Sequence, residues 1–132
     1  VSALLHFQAV ESLLDTALSC NVYVEGVPEN PTLPYVVLWA RGGTVRQGDV
    51  TAEPDGWREH EFQTTVVAAG SQQALLWRNR VFDALLGVRP TVTGFTVGPL
   101  RHVVGGTVGE DEAQPRVVWS PFDVWRCSSV PA

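Results

Sequence analysis

The chain has 132 residues, 45% of them hydrophobic and 17% charged, a balance that describes a single folded domain and excludes a disordered chain. A domain of this length buries roughly two thirds of its unfolded surface, so folding requires neither a disulfide nor a metal. Its net charge is −5, all nine of its Lys and Arg positions being arginine, and it lacks the basic footprint of a nucleic-acid binder.

The first predicted element is a helix over about Ala3–Leu18, with Ser2 as its N-cap. Phe7, Val10, Leu14, Ala17 and Leu18 form one apolar stripe, and Gln8, Glu11 and Asp15 lie opposite. A segment with this pattern and no basic start is an amphipathic helix rather than a signal peptide, which predicts synthesis in the cytosol. No apolar run approaches the ~20 residues that cross a bilayer. A short strand, "NVYVEG", follows, and "VPENPTLP" is too proline-rich to continue it.

"YVVLWA" is a continuous apolar run suited to a strand covered on both faces. "EHEFQTTVVAA" alternates: Phe62, Thr64, Val66 and Ala68 face one way, Glu61, Gln63 and Thr65 the other. The two read as an antiparallel pair joined by a long polar hairpin loop, "RQGDVTAEPDGW". From Asp49 to Glu61 this region holds five carboxylates against one arginine. A second helix starts after Gly70, is capped by Ser71, and stops at Gly87. Its core side is read as Leu75, Phe82, Leu85 and Leu86, with Trp77 and Val81 adjacent. "RPTVTGFTVGPLRHVVGG" predicts short or bulged strands, because Gly94, Gly98 and Pro99 interrupt it. "GGTVGEDEAQP" is a second acidic loop. "RVVWSPFDVW" is the last strand, and Pro121 assigns it to an edge or a bulge. The predicted fold class is α+β, a mainly antiparallel sheet with two main helices packed on one side.

The chemistry-bearing residues form no recognisable catalytic pattern. His60 lies between Glu59 and Glu61, but on a strand it points away from both, and Thr64 stands where a zinc-protease helix needs its second histidine. "REHEF" therefore reads as a solvated strand end. His6, His60 and His102 have no ligand spacing, and Cys20 and Cys127 read as free thiols. No catalytic, metal or cofactor residue is expected, and the chain is not read as an enzyme.

Five tryptophans are more than such a core requires. Trp39 and Trp119 are assigned to the core. Trp57, Trp77 and Trp125, with Arg78, Arg80 and Arg126, are candidates for a subunit contact, because interfaces enrich both residue types. The alternative is that each aromatic packs within its own chain.

The order of these elements from about residue 3 to residue 126 resembles the tail terminator proteins of long-tailed phages and their relatives among minor tail and head–tail joining proteins. The hairpin running directly into "AAGSQQALLWRNRVFDALLG" carries most of that resemblance. It implies a virion subunit, made in the host cytoplasm, that forms a hexameric ring on the tail tube protein. Such a ring stops polymerisation and meets the connector or stopper protein of the head. Genomic DNA passes through it without specific binding, and no membrane is involved. On that reading Asp49, Glu53 and Asp55 face the lumen or the tube. Arg78 and Arg80, beside Trp77, would meet Glu59 and Glu61 of an adjacent subunit. Competing readings are another neck or tail-completion ring protein, a small-molecule-binding α+β domain, and a dimeric cytosolic adaptor.

Overall fold

The computed structural model describes residues 2–28, 31–45, 58–106 and 121–132. The order is α1 (Ser2–Ala17), β1 (Asn21–Val24), β2 (Tyr35–Val45), β3 (Arg58–Val67), α2 (Ser71–Leu85), β4 (Phe95–Val97), β5 (Arg101–Gly105) and β6 (Phe122–Pro131). The sheet runs β1-β2-β3-β6-β4, with β5 also paired to β6. Every pairing is antiparallel except β1–β2, which is parallel. This is the α+β class the sequence predicts.

The β2–β3 hairpin forms as expected, with a bulge between Ala40 and Gly43. The alternation read in β3 also holds: His60, Phe62, Thr64 and Val66 are buried, and Glu59, Glu61, Gln63 and Thr65 are half-exposed. In β2, Tyr35 to Leu38 are buried on both faces. Val36 and Leu38 join the main core under the helices, whereas Tyr35 and Val37 pack on the other face with Val67, Tyr23 and Leu33. Trp39 continues the outer row, beyond the reach of that small cluster. It is therefore exposed, not in the core as the apolar run suggested. Trp119 lies outside the described residues.

The last strand sits in the middle of the sheet, not at an edge. β6 pairs with β3 on one side and with β4 and β5 on the other. Pro121 does not oppose this, because it lies just before the strand and offers its carbonyl to the Val66 N–H at 3.0 Å. The expected interruption falls instead between β4 and β5. There Gly98 N–H bonds to Ser128 O at 2.7 Å, and buried Leu100 is held by backbone bonds to Gly87 and Val88 behind α2. Gly87, at φ 74°, turns the chain out of the helix as the stop signal implied.

Helix α1 buries Phe7, Val10, Leu14 and Leu18 as predicted, but Ala17 is exposed and His6 is fully buried. Helix α2 is rotated from its predicted orientation. Ala74, Trp77, Val81 and Leu85 are buried, while Leu75, Leu76 and Leu86 are exposed. Both stripes have helical spacing, so periodicity alone did not choose between them.

His60 is buried in the core and stacks on His6, with ring centroids 4.0 Å apart and planes 16° from parallel. Its strand end is thus packed under α1, not solvated. Burial, followed by the neighbouring His6 and Arg58, pushes the His60 pKa down from 6.5 to about 4. The folded protein keeps this ring neutral where the unfolded chain would protonate it. The resulting stability is complete above pH 6.5 and is lost as pH falls towards 4. The loss should be on the order of 3 kcal/mol. Urea denaturation across this range should show the decline, and His60→Phe should flatten it relative to wild type.

Candidate functional site

Two polar clusters stand out, one on each face of the sheet. On the helix side, β6 presents Asp123 with 1% of its side chain exposed. A carboxylate so buried requires compensation. Arg78 of α2 supplies it with two parallel bonds, Nε to Oδ2 at 2.9 Å and Nη2 to Oδ1 at 2.7 Å. His102 of β5 adds Nε2 to Oδ1 at 2.8 Å. The Asp123 hydrogen bond raises the already high Arg78 pKa. Phe82 packs against the Arg78 guanidinium at 4.9 Å, and both Phe82 and Trp125 contact the His102 ring. The His–Asp pair thus lies among aromatic rings, and the cluster binds α2, β5 and β6 to one another.

On the open face, β3, β6 and β5 align Glu59 and Glu61, Arg126, and Arg101. Arg126 bonds Glu61 through both Nε and Nη2 and lies 3.8 Å from Glu59. Arg101 reaches Glu59 at 3.4 Å, the outer limit of a hydrogen bond. These partly solvated surface pairs are each worth little.

This geometry redistributes the predicted subunit-contact residues. Trp125 is fully buried and donates its indole N–H to Thr64 Oγ1 at 3.0 Å, so it belongs to the core and offers no area to a neighbour. Trp77 is also buried, and exposed Arg80 lies over its ring at 4.4 Å. Arg78, Glu59, Glu61 and Arg126 have partners within the chain, which removes the need for an Arg78–glutamate pair between subunits. Trp57, Asp49, Glu53 and Asp55 lie outside the described residues. Sequence reasoning passed over Asp123 and His102. The usable signal was a lone carboxylate inside "WSPFDVW", since an acid in an apolar strand implies a buried cation nearby.

Cys20 and Cys127 are free thiols, as expected. Burial raises both, Cys127 to about 11, so both are protonated at neutral pH and poor nucleophiles. Among the described residues, no three His, Cys, Asp or Glu side chains are grouped to hold a metal. No helix of the described residues is long and apolar enough to cross a membrane.

No protein-family model and no curated protein matches the sequence. Solved structures do match. One, known only by a sequence identifier, aligns over 92% of this chain and 94% of its own, with TM-score 0.61 and 12% identity. Another is a chain of the virion of a native gene transfer agent (GTA) particle, aligned over 91% of this chain and 83% of its own, with TM-score 0.56 and 19% identity. Likeness at these identities establishes a shared fold.

The Arg78–Asp123 pair depends on Gly105. A Cβ there would lie 2.6 Å from Arg78 Nη2 and 2.7 Å from Asp123 Oδ1. Gly105→Ala should displace the guanidinium from the buried carboxylate and destabilise the fold by on the order of 3 kcal/mol in chemical denaturation. In an Arg78→Ala background the same change should cost far less, which a double-mutant cycle measures.

Proposed function

We propose that this chain is a structural subunit of a virion, and that it forms a ring closing the end of a tail tube and joining it to the head. The supporting observation is the fold shared over 91% of this chain with a chain of the gene transfer agent virion. The element order that resembles tail terminators agrees with that likeness.

A feature of the sheet supports a two-faced ring. Arg58, the first residue of β3, pairs with Ser129, whereas Phe122, the first residue of β6, pairs with Thr65. The β2–β3 connection therefore leaves one end of the sheet and the β5–β6 connection the other. At ~3.3 Å per residue the two stems lie roughly 20 Å apart. Both connections are acidic: Asp49, Glu53 and Asp55 against Arg46 in the first, and Glu110, Asp111 and Glu112 against Arg116 in the second. A subunit between tube and connector needs two opposed contact ends, and acidic rims let DNA slide past instead of holding its phosphates. In this reading Asp49, Glu53 and Asp55 act at the tube or lumen.

Particles lacking this chain, viewed by negative-stain electron microscopy, should show overlong tubes without heads. Tails of normal length beside filled heads would instead assign the chain to another joining position in the neck.

A further inference from the structure

Helix α1 is held unevenly along its length. Val10 and Leu14, both fully buried, anchor its later turns in the main core. In the first two turns Ala3, Leu4, Leu5 and Gln8 are exposed, Ala9 is half-buried, and only His6 and Phe7 are buried. Phe7 packs near Phe62 of β3, with ring centroids 6.4 Å apart. His6 stacks on His60 of β3 at 4.0 Å and meets Phe95 of β4 edge-on at 5.1 Å. The start of the helix therefore stays on the sheet through two rings, and one of them is an imidazole on an imidazole.

The surroundings of this stack suit neutral rings. Arg58 precedes His60 by two residues on the same face of β3. Cys127 of β6 and Gly43 of β2 lie opposite His60, and Ser129 Oγ is 3.5 Å from His60 Nε2. These groups include one cation and no carboxylate. Glu59 and Glu61 are on the other face, where Arg101 and Arg126 bind them. Helix α1 has no acidic residue in its first turn, so the positive end of its dipole is uncompensated there. Glu11 follows His6 by five residues, about 140° around the helix. Burial, followed by His6 and Arg58, accordingly holds the His60 pKa down at about 4. Ala3 of the first turn borders a cleft of about 20 Å³ beside His60, together with Ala40, Phe62 and Glu61. That is room for about one water, the vehicle a proton needs.

We propose that the His6–His60 stack is an acid-sensitive latch, whose protonation releases the first two turns of α1 from the sheet while its later turns, α2 and the strands stay folded. Released, His60 titrates near its ordinary 6.5; latched, it titrates near 4. The closed form is thus fully favoured above pH 6.5 and loses ground as pH falls towards 4. Over that interval the ratio of open to closed rises by up to about 300-fold. Opening uncovers the Phe62 and Phe95 rings, against which Phe7 and His6 pack. The latch is internal to one copy, so it holds or fails independently of the ring reading.

Nuclear magnetic resonance of the wild type between pH 7.5 and 4 reads both the imidazole and the helix. The His6 to Val10 amides, which close the first helical turns, should lose on the order of a hundredfold of exchange protection over this range. That loss should be insensitive to low urea, the mark of a local opening. Amides of α2 and β6 should keep the full urea dependence of global unfolding. His60→Phe should abolish the pH dependence at α1. Protection that does not change with pH, that carries the same urea dependence as β6, or that falls equally in His60→Phe would overturn the latch. If His60→Phe packs poorly, the wild-type titration decides alone. Exchange at α1 that follows the His60 imidazole titration supports the latch, and exchange indifferent to it overturns it.

Discussion

The buried carboxylate of Asp123 constrains more of this fold than any other group. It lies on the helix-facing side of the central strand, next to fully buried Trp125, where an uncompensated charge would not be tolerated. Arg78 must therefore point down onto the sheet from α2, and this sets the rotation of the helix. Ala74, Trp77, Val81 and Leu85 turn inward as a consequence, and Leu75, Leu76 and Leu86 are left outside. His102 attaches β5 to the same oxygen, and Gly105 leaves room for the guanidinium. One ionic contact thus selects the core face of a helix and anchors an edge strand.

The two faces of the sheet are organised differently. The helix face is apolar apart from compensated groups: Asp123 with Arg78 and His102, Thr64 under the Trp125 indole, and His60 stacked on His6. The open face is covered at one end by Tyr23, Leu33 and Tyr35 and crossed by the Glu59, Glu61, Arg126 and Arg101 ladder. Between the two lie Trp39 and Val104, both exposed.

Several elements were legible because their signals are local. The alternation in β3, the helix stripe of α1, the stop at Gly87 and the broken β4–β5 region each follow from backbone preference or periodicity over a few residues. The errors fell where two local signals were equally good or where a distant partner decided. Pro121 suggested an edge strand, yet a proline one position before a strand leaves its ladder intact. Trp39 and Trp125 look alike in sequence, each in an apolar run. They separate only because one faces the helices and the other faces past the end of a small outer cluster. His6 and His60 are far apart in sequence, and no spacing rule pairs them.

By itself the sequence determined the α+β class, most element positions, the antiparallel hairpin and the acidity of the two long connections. All of these depend on residue order over a few turns or on composition. Tertiary structure alone decided the central place of β6, the rotation of α2, and the meeting of Arg78 and His102 at Asp123. Strand order and buried charge pairing are set by contacts between segments distant in the chain. Their energies depend on which groups share a desolvated space, and a linear pattern does not contain that information.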